Sequence, residues 1–221
     1  MAKPIVRKSG PPTAIGLPTL APLAAADLAA HGDYDSVLLA DANLAGLHLD
    51  GVSFLASHVD RCGLDEASLR RGRLAECLLT EIHAVSLDLA DAVWRETLVV
   101  DPRIGALSAP GCSWDNIRVR GGKLDFVNLS GAKLTDVVLE RCVIGELDLG
   151  QTQVQRLRLD GVKLGVLDYT GARLADVDFT GAEIGAVRGI DGLRGATIST
   201  TQLLDLAPLL AVHLGVRVSA D

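Results

Sequence analysis

The stretch GVKLGVLDYTGARLADVDFTGAEIG, residues 161–185, advances in fives. A large apolar residue falls at Leu164, Tyr169, Leu174, Phe179 and Ile184. Two places before each sits a mostly smaller apolar one: Val162, Leu167, Ala172, Val177 and Ala182. A helix cannot keep a five-residue stripe on one side, because five residues turn it through about 500°. A flat strand alternates with period two. A chain that turns a corner every five residues keeps every fifth side chain inside, so this period selects a solenoid.

Outward from that stretch the same beat holds from Leu39 to Ile184, thirty consecutive places of which only Ala84 and Ala109 are not large. Those two are preceded, two places back, by Ile82 and Leu107. Volume is thereby exchanged within the corner and packing density is kept. Ala42-Asn43-Leu44, Ala132-Lys133-Leu134, Ala172-Arg173-Leu174 and Ala182-Glu183-Ile184 carry the pattern A(D/N)LXX. Over about two thirds of its length the chain resembles the pentapeptide-repeat family. The resemblance implies an all-β fold, a right-handed quadrilateral β-helix with twenty residues per coil and about 7–8 coils. Residues twenty apart then stack, and Trp94 and Trp114, neighbours in one interior column, are expected to touch.

The flanks set the expected organisation. Residues 1–18 hold Pro4, Pro11, Pro12 and Pro18 with Lys3, Arg7 and Lys8, and read as a flexible tail. Residues 19–37 read as an N-terminal cap with a short helix from Thr19 to Ala30. The β-helix then occupies 38–198, with a local kink expected near Pro102 and Pro110. Past Ile184 the register slips, so that Leu193 and Ile198 take the inward places and Ala196 the smaller one. Residues 199–221 form a C-terminal helix and tail, capped by Ser199 or Thr200, ended by Gly215, and kinked or divided at Pro208. The resemblance implies that this helix covers the open coil and builds a homodimer, with Leu203, Leu206, Leu209 and Leu210 as the candidate contact.

Little in the sequence carries catalytic chemistry. Cys62, Cys77, Cys112 and Cys142 each stand two places before an inward residue, where a small filler belongs. His48, His58 and His83 fall in three different outward columns, with His31 in the cap region and His213 on the terminal helix. Glycines 46, 51, 111, 121, 131, 161, 171 and 181 recur at one repeat position and read as corner glycines, not as a phosphate loop. No metal, no cofactor and no catalytic constellation is expected, and the chain reads as a non-enzyme. A net charge of −7 argues against direct nucleic-acid binding through a basic surface. No apolar run approaches a membrane span, and no secretory signal is seen, so the expected compartment is the cytoplasm.

The exterior therefore holds what is particular to this chain. From Leu39 to Gly189 there are 22 acidic and 16 basic residues. One column runs Glu76, Glu96, Asn116, Asp136, Arg156, Asp176, and another holds Asp88, Asp148 and Asp168. A basic column contains Arg103, Lys123 and Lys163, and Leu78 stacks on Leu98, near Val93, as an outward apolar pair. Family members that protect DNA gyrase from quinolones imply a DNA-mimicking partner of a type II topoisomerase, with Glu76, Glu96, Asp136, Asp176, Asp88, Asp148 and Asp168 as candidate partner-binding residues. The alternative is a scaffold whose partner is not a topoisomerase.

Overall fold

The computed structural model describes residues 10–219. Strand pairing is parallel throughout, and in the body of the rod each strand lies beside the segment twenty residues later. Val93–Val100 pairs with Ser113–Arg120, which places Trp94 over Trp114 and Val99 over Val119. Ser113–Arg120 pairs in turn with Lys133–Glu140. Four five-residue steps thus close one coil, and successive coils extend a single sheet wound around one core. The stretch expected to kink is regular: Arg103–Ser108 stays in register with the coils on both sides.

All but three of the thirty inward positions are buried, and Leu69, Leu174 and Ile184 are partly buried against the same core. Ile82 and Leu107 are both buried beside the undersized Ala84 and Ala109. The two tryptophans stack with ring centroids 5.5 Å apart. Their column extends one coil further than the beat counted from Leu39, because Tyr34 stacks on Phe54 at 5.2 Å. Ala21–Pro22 already pairs with Val37 and Leu38, and Ala196–Thr197 pairs with Val177 and Asp178. The solenoid therefore makes about nine turns, more than the 7–8 expected. The cap region contributes the extra coil. It contains the short strand, a 3-10 turn at Ala25–Asp27 and the strand Asp33–Asp35, and not the expected helix from Thr19 to Ala30. Extended backbone there satisfies the edge of the first coil, which a helix would leave unpaired.

Corners are made by left-handed residues two places after the inward one. Arg71, Glu76 and Glu81 have φ of 55°, 56° and 49°. Such a conformation costs a non-glycine residue about 1–2 kcal/mol. It is held by ladder hydrogen bonds, such as Glu76 N–H to the Arg95 carbonyl at 3.1 Å. One of the four corners changes design along the rod. Gly46 and Glu66 are left-handed there, but Ser86, Ala106, Phe126, Glu146 and Val166 are not. The strand runs through that corner unbroken, and the coils approach so closely that a Cβ on Gly165 would lie 2.5 Å from the Gly145 carbonyl oxygen. Seven of the eight expected corner glycines have left-handed φ. Gly181 does not, and it is required instead by close approach to the Leu159 carbonyl, 2.6 Å from a Cβ placed there.

At the far end, Leu193, Ala196 and Ile198 pack against the core, as the register slip predicts. Ser199 caps α1 (Thr200–His213) in a reciprocal capping box with Gln202. Gly215, with φ 70°, follows the helix. Pro208 does not divide α1, which runs through it as one helix.

Candidate partner-binding surface

The interior is filled by packed side chains. All four cysteines are buried and free. The Cys62 and Cys77 thiols each donate to a carbonyl 23 residues back, Leu39 and Phe54, at 3.4 Å. Thr152 does the same to Leu129 at 2.7 Å, so small polar residues in this position bridge neighbouring coils. Burial pushes the thiols of Cys77 and Cys142 up to about 11 and that of Cys112 up to about 12, away from the reactive thiolate form. Among the described residues no group of histidines, cysteines and carboxylates is arranged to hold a metal ion. His58 is half-buried against Thr80 at 2.7 Å, with burial pushing its pKa down against the nearby Asp60. His213 pairs with Asp191 at 2.8 Å.

The column Glu76, Glu96, Asn116, Asp136, Arg156, Asp176 stands as a ridge, because all six occupy the same left-handed corner position in successive coils. It is not uniformly acidic in effect. The Arg156 guanidinium donates to both oxygens of Asp136, at 2.5 and 2.7 Å. That bond raises the Arg156 pKa, with burial opposing. Glu76 and Asp176 are exposed and Glu96 is half-buried.

The second acidic column has a different task. Asp148 accepts from the backbone N–H of Gly150 at 2.7 Å, Asp168 from that of Thr170 at 2.9 Å, and Asp88 from that of Ala90 at 2.9 Å while also meeting Arg70 at 3.1 Å. Asn43 and Asn128 repeat the bond to Ala45 and Ser130. These side chains close the backbone turn two residues on, an Asx-type bond. The hydrogen bond from the Thr170 side chain holds Asp168 below the usual carboxylate range, against the opposing effect of burial. The alternation of Asp and Asn at this position was the available signal, since only a hydrogen-bonding role tolerates both. In the basic column Lys123 is engaged with Asp125 at 2.7 Å.

The expected apolar patch is covered. Leu98 points outward beside Leu78, yet is only 4% exposed, and Val138, two coils further, is 6% exposed. The N-terminal arm crosses this face. Arg118, the polar interruption in that column, donates to the carbonyls of Pro11 at 3.1 Å and Pro12 at 3.0 Å, and to Glu140 at 2.8 Å. Arg120 reaches the Thr13 carbonyl at 3.3 Å. Pro11 is buried. Residues 10–18 are thus laid on the rod and not a free tail, while residues 1–9 lie outside those described. The reason is chemical: two prolines in sequence offer carbonyls without competing N–H groups, and an arginine fork fits them. Arg118, an arginine amid Leu78, Leu98 and Val138, was the clue in the sequence. Val93, 46% exposed, remains open.

Every element of the repeat is now placed: the inward residue, its smaller partner two before, the corner two after, and the twenty-residue register. By repeat and by coil, the chain is a β-solenoid of five-residue steps, four to a coil. No family profile and no curated protein matches the chain. Among solved structures it is similar to a trypsin-treated variant of QnrB1, a plasmid-mediated fluoroquinolone resistance protein. That match has 18% identity over 90% of this chain and 96% of the other, with a TM-score of 0.33. It is also similar to HetL, a pentapeptide repeat protein involved in heterocyst differentiation regulation from the cyanobacterium Nostoc sp. strain PCC 7120. There the identity is 20%, over 75% and 86% of the two chains, with a TM-score of 0.29. Full-length QnrB1 gives 18%, 88%, 95% and 0.26. Likeness at this level carries nothing about a partner, and the fold stands on the chain's own register.

The terminal helix of this solenoid has two different sides. Gln202 is its only buried residue, and Leu206 and Leu209 face a small cavity beneath the cap lined also by Tyr169 and Phe179. Leu203 and Leu209 are each 47% exposed, and Leu204 and Val212 more so. Of the four expected dimer leucines, Leu206 and Leu209 thus line this cavity, Leu206 and Leu210 are half-buried, and Leu203 is exposed. No helix among the described residues is long and apolar enough to cross a membrane.

Proposed function

We propose that this rod is a non-catalytic binding protein whose contact surface is the corner ridge from Glu76 to Asp176. The observation that carries the reading is the in-register stack of six corner side chains, four of them acidic, one per coil. Coils about 4.8 Å apart make this a regular line of charge on a narrow rod, suited to a protein groove that normally holds a polyanion. The family resemblance makes a type II topoisomerase, DNA gyrase, the partner to test. Inhibition of gyrase supercoiling by the purified chain at micromolar concentration, with altered quinolone sensitivity, is expected. Glu76→Gln combined with Glu96→Gln and Asp176→Asn is expected to remove it. Undiminished supercoiling at saturating protein would end the topoisomerase reading.

A specific observation favours a second reading. Asn116 breaks the charge row, and the bidentate Arg156–Asp136 pair neutralises another position. A mixed-sign ridge suits a protein partner with mixed charges better than a DNA-binding groove, which makes the rod an interaction scaffold for a non-topoisomerase partner. Capture of gyrase subunits by the immobilised rod, or capture of another protein in a ridge-dependent way, separates the two. Two copies pair through the exposed side of α1, with Leu203 and Leu209 at the contact. Sedimentation of the Leu203→Glu, Leu209→Glu double variant as a monomer, against a dimeric parent, is the expected result. A cytoplasmic setting accords with four free, buried thiols.

A further inference from the structure

The rod holds residues 10–17 by contacts of the kind that hold a peptide ligand. Arg118 is oriented from the side away from the arm, where Nη1 donates to Glu140 at 2.8 Å. That leaves Nε and Nη2 to donate to the carbonyls of Pro12 at 3.0 Å and Pro11 at 3.1 Å. Leu98 and Val138 flank it, one coil to either side. Along the arm, Pro11 is buried, Pro12 is half-buried, Thr13 and Ala14 are exposed, and Ile15 is half-buried. The contacts thus select the pattern Pro-Pro-x-x-apolar, read through main-chain carbonyls and ring burial. We propose that this strip of the rod is a binding site for a proline-rich segment of another protein with that pattern, and that the chain's own arm is its competitor.

Three observations make the arm displaceable. Among the described residues, none from 10 to 20 takes part in a backbone–backbone hydrogen bond, and the first to do so is Ala21, whose N–H donates to the Ser36 carbonyl at 2.9 Å. The arm is therefore fastened only by the arginine forks and by apolar burial, and its departure breaks no ladder bond. It also has slack. Ala21 pairs with Val37, and the ladder Leu38, His58, Leu78, Leu98, Arg118 rises four coils. Four coils rise about 19 Å, whereas the chain from Pro11 to Ala21 can reach about 33 Å. Gly16 lies between, with nothing near the place of a Cβ, and can pivot. Once the arm leaves, the Arg118 fork loses two acceptors and Leu98 meets water. A second Pro-Pro segment restores both, and it loses little freedom on docking because its φ angles are already fixed. The strip is separate from the corner ridge, so this inference goes beyond the ridge-binding reading and does not depend on it.

The test is fluorescence anisotropy with a labelled peptide of the arm's own sequence, GPPTAIGLP, residues 10–18. The full chain carrying Pro11→Gly, Pro12→Gly and Ile15→Ser, in which the site is freed, is expected to bind this peptide at least about tenfold more tightly than the parent, since a tethered competitor acts at millimolar effective concentration. Adding Arg118→Lys keeps the charge but loses the fork, and is expected to weaken binding at least about tenfold. Circular dichroism with a parental melting curve checks that each variant is folded. A freed chain that does not bind the peptide, that binds a scrambled peptide equally, or that binds as well with Arg118→Lys would overturn the proposal. An Arg118-dependent dimer of the parent that excludes the peptide would also overturn it, by making a second copy the occupant. A further readout needs no variant: in the isotopically labelled parent, excess unlabelled peptide is expected to shift the amide resonances of residues 13–17 to unfolded-chain positions. Unchanged resonances would refute the competition. No topoisomerase enters these measurements, so their failure and that of the supercoiling assay are separate results.

Discussion

Replacing Gln202 with alanine is expected to release α1 from the last coil while leaving the rod folded. Gln202 is 8% exposed on an otherwise exposed helix. Its Nε2 donates to the Phe179 carbonyl at 2.7 Å and the Ala182 carbonyl at 2.8 Å, and its Oε1 accepts from Ser199 N–H at 2.8 Å. One side chain thus ties the helix start to the final coil and completes the cap. Three hydrogen bonds at about 0.5–1.5 kcal/mol each give roughly 2–4 kcal/mol, toward the lower end once water enters the opened site. The cost falls on docking of the cap, so the proper measure is local. Amide exchange in α1 is expected to accelerate about 30-fold to several hundredfold, at 1.4 kcal/mol per decade, while amides of Ser113–Arg120 keep their protection. The Gln202→Glu variant sharpens the test. A carboxylate aimed at two carbonyls has its folded pKa raised, so the protonated form is favoured. Its cap is then most stable below the unfolded glutamate pKa and loosens as pH rises through the raised value. Alanine and glutamate variants with parental exchange in α1 at pH 7 would refute this account of the cap.

Three further outcomes follow from single residues. Tyr169 is wholly buried and its hydroxyl has no partner among the described residues, with burial pushing its pKa up to about 12. Tyr169→Phe is expected to be neutral or to stabilise by up to about 1–3 kcal/mol in urea unfolding, and a loss above about 1 kcal/mol would contradict it. Gly165→Ala is expected to lower the melting temperature more than Gly131→Ala. The first forces a Cβ against a carbonyl of the coil below, whereas the second has open space and only the left-handed φ penalty of about 1–2 kcal/mol. Burial pushes the Glu140 carboxyl up, but Arg118, Arg120 and Arg141 outweigh it and hold it below the ordinary 4.5. Its contribution to the arm latch is therefore complete above that value and lost as pH falls through the lowered one. Proteolytic nicking within residues 10–18 is expected to rise in acid, measured with pepsin, and to rise less steeply in Glu140→Gln.

The acidic residues show where reading by column reaches its end. Stacking at twenty-residue intervals is legible, because the period is in the sequence and the register follows from it. The same arithmetic groups Asp88, Asp148 and Asp168 with no means of telling a solvated carboxylate from one closing a turn. Only the Asx bonds to Ala90, Gly150 and Thr170 reveal that these aspartates belong to the backbone. Likewise Asp136 and Arg156 sit in one column by sequence, but their bidentate pairing depends on side-chain reach. Asp136 then offers less charge to a partner than Glu76 does.

The terminal helix was legible from its cap residues Ser199 and Gly215, and the five-residue beat by itself determined the solenoid, the inward set, the tryptophan stack and the buried cysteines. Each follows from a local period in which every step repeats the same burial. The tertiary structure decided what periodicity does not encode: the extra coil at Ala21 and Tyr34, the corner that changes design after Glu66, and the arm fastened by Arg118 across Leu98. These are contacts between segments of different period, or of none. Arg118 and Pro11 are more than a hundred residues apart, and nothing local to either dictates that they meet. Their meeting depends on the finished rod presenting an arginine fork beside an apolar strip, where proline carbonyls could be satisfied.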